Sequence, residues 1–511
     1  MNAASSHPLP SLSSPAPVHA GQGSVRDWAR ALYADAKLPD KRLRQRLADI
    51  TEALASAPGS SIPLACGSWS RTKGAYRMIE NESMKPELLH EAFPLYTRER
   101  CAGFGLVLAV QDTTTATFPK TCHAEGLGRV NASPSRGVLL HTTLAVAPDG
   151  VALGLLGAHS WSRPNDGLRA RNRANLPIER KESIRWLNAA QAAHDALAVL
   201  PPQRRPRLCH VTDREGDIHE FLDLVVRLGD MGVVRCARDR RVEVRHEAED
   251  PRVALAHASV AKTPCRGVLQ VTVPRGEKRP TRTATLEVRW QPQTLRTAHS
   301  TPFQPSRGPV ALWLLEAREV DAPAGTDPLH WRLWTTEPVE TLADAQRILD
   351  IYRWRWRIED YHRVLKDGLR VEDLRLETAD RLRLALALCA PVAARIVELR
   401  DRSRLQPDAP CTVLFSELEW QVLWISQNRE RPVQTPTIQE AVRLLGRLGG
   451  HLGRKGDGMP GVKTIWRGAA VLSHLTAYEM LRSGPIPAGT CLSPDLAALL
   501  ETAHTLDSFR D

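Results

Sequence analysis

The stretch "RLCHVTDREGDIHEFLDLVVRLGDMGVVRCA", residues 207–237, decides the fold class. It opens on a short apolar run, 207–213, that ends in Asp213, the pattern of a buried strand. The apolar residues of 217–229 then recur at helical spacing, and Asp217 with Glu220 three residues on suggests a capping box. "MGVVRCA" (231–237) returns to the strand pattern. Working outward, "FGLVLAVQD" (104–112) is a second apolar strand ending in an acid, Asp112. "GVLLHTTLAVA" (137–147), the turn "PDG" and "VALGLLGAH" (151–159) read as a hairpin, and 178–200 as a helix. The order strand, hairpin, helix, strand, helix, strand predicts a mixed α/β sheet.

Residues 238–335 read as a β-rich insertion, with strands at 267–276, 283–290 and 310–320 punctuated by Pro and Gly. A single helix is expected over 341–368, capped by Thr341 with Asp344. Within it, "IYRWRWRIEDYHRVLKDG" (351–368) carries two stripes at steps of three and four. Ile351, Trp354, Ile358, Tyr361 and Leu365 form a core face. Tyr352, Arg355, Glu359, His362 and Lys366 form a polar row beside it, either a solvated flank or one wall of a site. Residues 369–511 read as mostly helical; "GGHLGRKGDGMPG" (449–461) lacks the G-K-[ST] of a phosphate loop and reads as a turn-rich segment.

The 511 residues suit two to four domains. A net charge of +11 and 13 Trp favour a polyanionic partner and stacking faces without proving either. Nine scattered cysteines with no C-x-x-C indicate neither a zinc site nor a disulfide framework, so a reducing cytoplasm is expected. No apolar run is long enough to cross a bilayer. The Ser-, Pro- and Ala-rich residues 1–23 read as a disordered tail. Residues 24–100 read as small helices rich in cations, among them Arg42, Arg71 and Lys73; such a region suits DNA docking, and equally a helical domain with solvated Lys and Arg.

An Asp after a strand is most often a turn residue or a cap, and Glu359 alone is an ordinary surface Glu. As a set, Asp112, Asp213 and Glu359 could bind Mg²⁺, which takes oxygen ligands from a few carboxylates plus substrate phosphate. Two such ions activate a nucleophile and stabilise the leaving oxygen in phosphodiester chemistry. Arg355 and Lys366 on the Glu359 face would then hold phosphates.

The spacing Y-x2-R-x3-E-x6-K, met by Tyr352, Arg355, Glu359 and Lys366, resembles the signature of bacterial insertion-sequence transposases of the DDE class. "GAYRMI" (74–79), "QDTTT" (111–115), "TDREGDIHEFL" (212–222) and "LWTTEPVETLADAQ" (333–346) resemble the same family in the same order, over roughly residues 25–480. The resemblance implies a ribonuclease-H-like mixed-sheet α/β core over 101–368, with the β-rich insertion at 238–335. A helical DNA-binding domain at 24–100 and a helical, dimerising region at 369–511 would flank it. It implies that Asp112, Asp213 and Glu359 are the catalytic metal ligands for two Mg²⁺, with Mn²⁺ able to substitute. Tyr352, Arg355, Lys366 and Arg235 would contact DNA, Trp331 would stack a flipped base, and His362 is a further possible contact. The partners implied are double-stranded DNA, as terminal inverted repeats and target, and a second copy of the chain, in the cytoplasm at the nucleoid. A metal-dependent nuclease without strand joining, or an inactive DNA-binding regulator, are the alternatives.

Overall fold

The computed structural model describes residues 24–130, 135–163, 176–244, 252–273, 282–296, 308–428, 434–454 and 456–483. The expected tail, 1–23, lies outside the described residues. Five helices open the described chain: α1 (Val25–Leu32), α2 (Lys41–Ser56), α3 (Ile62–Cys66), α4 (Trp69–Ile79) and α5 (Pro86–Cys101). Their starts are set by side chains that satisfy free N–H groups. Ser24 and Asp27 form a capping box, Asp40 accepts from the Arg42 N–H, and Ser68 accepts from the Arg71 N–H. Leu47 and Ile50 of α2 are buried, as its spacing requires.

The sheet begins with β1 (Leu106–Phe118), β2 (Gly128–Arg129), β3 (Arg136–Val146) and β4 (Ala152–Trp161). It continues through helix α6 (Ile184–Ala198), β5 (Arg207–Thr212), helix α7 (His219–Leu228) and β6 (Met231–Arg235). β1, β3 and β4 pair antiparallel, β5 lies parallel to β1, and β6 parallel to β5. This is the ribonuclease-H-like arrangement. β5, α7 and β6 confirm the strand, helix and strand of residues 207–237, but the expected capping box does not form. The α7 cap is Ile218, without a side-chain bond. Asp217 is instead buried, accepts from the N–H groups of Ala237 and Arg238, and pairs with Arg240 at 3.0 Å. The buried acid thereby satisfies the backbone leaving β6, a demand stronger than an exposed cap.

Residues 241–335 supply β7 (Arg241–Val244), β8 (Arg252–Leu255), helix α8 (Ala256–Ala261), β9 (Gly267–Val273), β10 (Arg282–Leu295), β11 (Val310–Val320) and β12 (His330–Thr335). They are not a separate layer. β12 pairs antiparallel with β6, matching Leu333 with Arg235, so one 12-stranded sheet runs β2-β3-β1-β5-β6-β12-β11-β10-β7-β8, with β4 on β3 and β9 on β10.

Helices close the chain: α9 (Leu342–Arg353), α10 (Trp356–Arg363), α11 (Ala379–Leu405), α12 (Glu417–Asn428), α13 (Ile438–Leu448) and α14 (Val462–Ser483). α11 is buried along most of its length. No described helix is long and apolar enough to cross a membrane.

The single helix expected over 341–368 is broken. Its capping box, Thr341 with Asp344, forms. The chain then turns at Trp354 and Arg355, resumes as α10, and widens into a π-helical turn, Val364–Gly368. The cause lies in the β3–β4 turn. Trp354 donates its indole N–H to the Pro148 carbonyl at 3.1 Å, and Arg357 donates to the Gly150 carbonyl at 3.0 Å. Gly150 has φ +95°, and a Cβ there would meet the Trp354 ring at 2.6 Å. Glycine is required twice over, for the backbone and for the ring. Gly150→Ala is therefore expected to destabilise the protein by about 2 kcal/mol or more, read as a lowered melting temperature. An unchanged melting temperature would show that this turn does not hold α10.

Candidate active site

Parallel pairing between β1 and β5 runs from Leu106 with Arg207 to Gln111 with Thr212 and stops there. Asp112 and Asp213 are the next residues on each strand. The sequence placed Asp112 at a strand end, but β1 continues to Phe118 because β3 still pairs with it along its other edge. What ends at Asp112 is the parallel partner. The chain of β5 turns away into a short 3₁₀ turn, Arg214–Gly216, where Asp213 accepts the Glu215 N–H at 2.8 Å. The two carboxylates therefore lie side by side at the mouth of a sheet crevice, the usual ligand position in such sheets.

Asp112 is half-buried, and its Oδ1 accepts the N–H of Thr113 at 2.7 Å. Burial, then the neighbouring Asp213 charge, push its carboxyl up from 3.8 to about 7, against the pull of Thr113 and Arg355. Glu215, two residues past Asp213, is a further carboxylate at this mouth. Desolvation and Asp213 raise its pKa too. Sequence reading passed over it, although it stands inside the quoted "TDREGD".

α10 carries Glu359, with its side chain 37% exposed and its Oε1 accepting from Arg355 at 2.7 Å. Arg355 also feels the charge of Asp213. The row expected to be either a solvated flank or a site wall is mostly buried: Tyr352 is 1% exposed, Arg355 6% and His362 8%. Tyr352 lies under the influence of Arg235, and Trp331 meets its ring edge-on, centroids 5.6 Å apart. Arg235 donates to the His330 carbonyl at 3.3 Å, so Trp331, Tyr352 and Arg235 form one cluster. Lys366 lies in the π-helical turn, half-buried and close enough to His362 to lower its pKa.

Expected among the DNA contacts, His362 is enclosed, with Nδ1 3.8 Å from an Asp112 oxygen, and burial pushes its pKa down to about 3. It is thus buried to much the same degree as Tyr352 and Arg355 beside it. The N-terminal candidates Arg42, Arg71 and Lys73 are exposed on α2 and α4, away from these carboxylates in the chain, with Lys73 5.9 Å from the exposed Trp69 ring.

Three family models match the chain: a transposase DNA-binding domain over residues 25–84, a transposase DDE domain over 223–393, and a Tn5 transposase dimerisation domain over 391–480. The chain carries the domains of a DDE transposase. It is accordingly a metal-dependent enzyme of DNA cleavage and strand transfer, with DNA and a second subunit as partners. The DDE match takes in Glu359 but begins after Asp112 and Asp213, so those two rest on the geometry above. Among the described residues of the transposase, no three His, Cys, Asp or Glu side chains converge as a ready-made metal cage. The donor chemistry still fits a divalent cation. Two adjacent carboxylates, one driven up towards neutrality, are what a cation relieves.

The sign of this pressure can be tested. The folded Asp112 pKa lies above its ordinary value, so the cost to folding grows as pH rises from about 4, where the unfolded state ionises, is full above about pH 7, and is absent below about pH 4, where both states are protonated. Asp112→Asn is expected to raise the melting temperature of the metal-free transposase at pH 8. The gain should shrink as pH falls through 7 and approach zero near pH 4. Mg²⁺ added to the parent at pH 8 should narrow the gap, and a gain equal at all pH values would refute the assignment.

Proposed function

We propose that the chain is a cut-and-paste transposase with the Y-R-E-K signature, similar to that of the kanamycin-resistance composite transposon. The observation that carries this reading is the last parallel rung, Gln111 with Thr212, after which Asp112 and Asp213 follow on neighbouring strands, with Arg355 linking Asp213 to Glu359 of α10. These three carboxylates would hold two Mg²⁺, or Mn²⁺ in their place. Bound there, the ions would activate the attacking oxygen and stabilise the leaving one. Arg355 and Lys366 would take up phosphates of the strand being cut, Arg355 exchanging its bond to Glu359 for one to DNA. Tyr352 and Arg235 would support that strand.

On this reading water cuts one strand at the element end, and the freed 3′-hydroxyl attacks the opposite strand to give a hairpin. A tight hairpin is relieved by extruding a base, and Trp331 would stack it once the ring parts from Tyr352. Residues 24–100 would dock the terminal inverted repeats through Arg42, Arg71 and Lys73. Residues 369–511 would join two subunits across paired ends, the symmetry that two ends favour. The expected setting is the bacterial cytoplasm, at the nucleoid.

Glu359→Gln is expected to bind element ends with near-parental affinity and to cut them at least about 100-fold more slowly in Mg²⁺. Cutting at the parental rate would remove Glu359 from the metal set. Trp331→Ala should impair hairpin formation more than first-strand nicking on end-containing DNA. Equal losses in both steps would leave Trp331 a packing residue only.

A further inference from the structure

On the strand β1, alternate side chains face opposite sides of the sheet. Asp112 points to the face where α10 and His362 lie, while Gln111 and Thr113 point to the other. That back face is apolar, built from Trp186 of α6, Phe221 of α7 and Val234 of β6, among others. Inside it runs a fully bonded polar chain. The Thr113 hydroxyl meets His141 Nδ1 at 2.8 Å, and His141 Nε2 meets the Gln111 amide oxygen at 3.3 Å. The Gln111 amide nitrogen meets His210 Nδ1 at 3.3 Å, and His210 Nε2 meets Asp230 at 3.0 Å. Asp230 also accepts from His194 of α6 at 2.9 Å. Gln111, His141 and His210 are each at most 1% exposed.

The chain has a direction. With the amide nitrogen of Gln111 donating to His210 Nδ1, His210 Nε2 is left to donate to the Asp230 carboxylate. The amide oxygen then accepts from His141 Nε2, so His141 Nδ1 accepts from the Thr113 hydroxyl. Every donor points towards Asp230. The rings are held by edge contacts, His141 on Trp186 at 4.7 Å and His210 on Phe221 at 6.2 Å. The buried polar groups of such a chain are costly if any bond is lost, so the chain behaves as a unit.

Its place gives it a role. Backbone pairing of β1 to β5 ends at Gln111, and the residue that follows is the one whose carboxylate must be placed. The Gln111–His210 bond ties β1 to β5 at this limit, and the bonds of His141, from β3, to Thr113 and Gln111 tie the other edge. Thr113, fixed on the back face, donates its backbone N–H to Asp112 Oδ1 at 2.7 Å on the front. We propose that Gln111, His141 and His210 are positioning residues that, through Thr113, aim the Asp112 carboxylate for metal binding. Groups that bond a metal ligand directly typically change its affinity about 10- to 100-fold when lost, so residues acting one step further, through Thr113, are set at the low end of that range.

This rests on the assignment of Asp112 as a metal ligand, and the test separates the two. Mn²⁺ binding to the full-length protein is measured by electron paramagnetic resonance titration, with DNA-end binding in EDTA as a control for the fold. Gln111→Met removes both amide bonds at similar volume. Thr113→Val removes only the hydroxyl, and Thr113→Ser restores it. Gln111→Met and Thr113→Val are expected to weaken Mn²⁺ binding about 10-fold with metal-free DNA binding within twofold of the parent. Thr113→Ser should bind Mn²⁺ within threefold of the parent. Parental Mn²⁺ affinity in both weakened variants would overturn the proposal and leave Asp112 assigned. So would a parallel loss of DNA binding, which marks a merely structural chain. Parental Mn²⁺ binding in Asp112→Asn would overturn the metal assignment and this proposal with it.

Discussion

Six parallel rungs between β1 and β5, from Leu106 with Arg207 to Gln111 with Thr212, set the spacing on which the site depends. Adjacent strands lie about 5 Å apart, so the next residue on each must carry its side chain close to the other. Both of those residues are acids. Burial first, and then repulsion between two carboxylates at such a distance, drive Asp112 up to about 7. The sheet tolerates this because β1 is buried on both faces, Leu108 and Val110 on one side and Val107 and Ala109 on the other. The strain is thus fixed by the same packing that makes the fold.

The third carboxylate is placed by a different device. α10 and the turn that precedes it stand on the β3–β4 turn through Arg357 and Trp354, and α10 stands on α11 through charges. Arg400 of α11 contacts Asp360, next to Glu359, at 2.5 Å and Asp401 at 2.5 Å. Arg357 lies 3.5 Å from the same Asp401, which is fully buried and also accepts the Ala152 N–H. Removing one member would strand a buried charge, so the cluster resists rearrangement more than it adds net stability. It holds the helix of Glu359 against the hairpin that flanks β1. The matched DDE and dimerisation segments meet within α11, so one buried helix supports the site and enters the dimerisation segment.

Much of this was legible in the sequence because it is local. Apolar runs gave β1, β5 and β6, the Thr341–Asp344 pair gave the start of α9, and the core stripe Ile351, Ile358, Tyr361 and Leu365 is buried as spaced. What could not be read is non-local. β1 outlasts its parallel partner only because β3 lies on its other edge. The break at Trp354 depends on Gly150, some two hundred residues earlier. Asp217 looked like a cap because its neighbours are helical, while its partners Ala237 and Arg240 lie beyond β6. Residues 238–335 read as β-rich, but nothing local in β12 announces that these strands extend the core sheet, with Leu333 paired to Arg235. The polar row of 351–368 was legible as a pattern, but its burial against Trp331 and Asp112 was not.

Arg355 shows how these constraints combine. Its guanidinium stacks 5.0 Å over the exposed Trp356, bonds Glu359, and feels Asp213 and Tyr352, so one cation balances several acids. Burial works against its charge, but Tyr352, Glu359 and Asp213 outweigh it, so the guanidinium keeps its proton and can satisfy only so many oxygens at once. If metal ions take over the charge of Asp112, Asp213 and Glu359, the guanidinium is released to the one strong acceptor that arrives with them, the phosphate. Metal and DNA binding would then support each other through the same residue. The short i,i+4 pair that looks like ordinary helix stabilisation would be the resting arrangement of a site that assembles only when both partners are present.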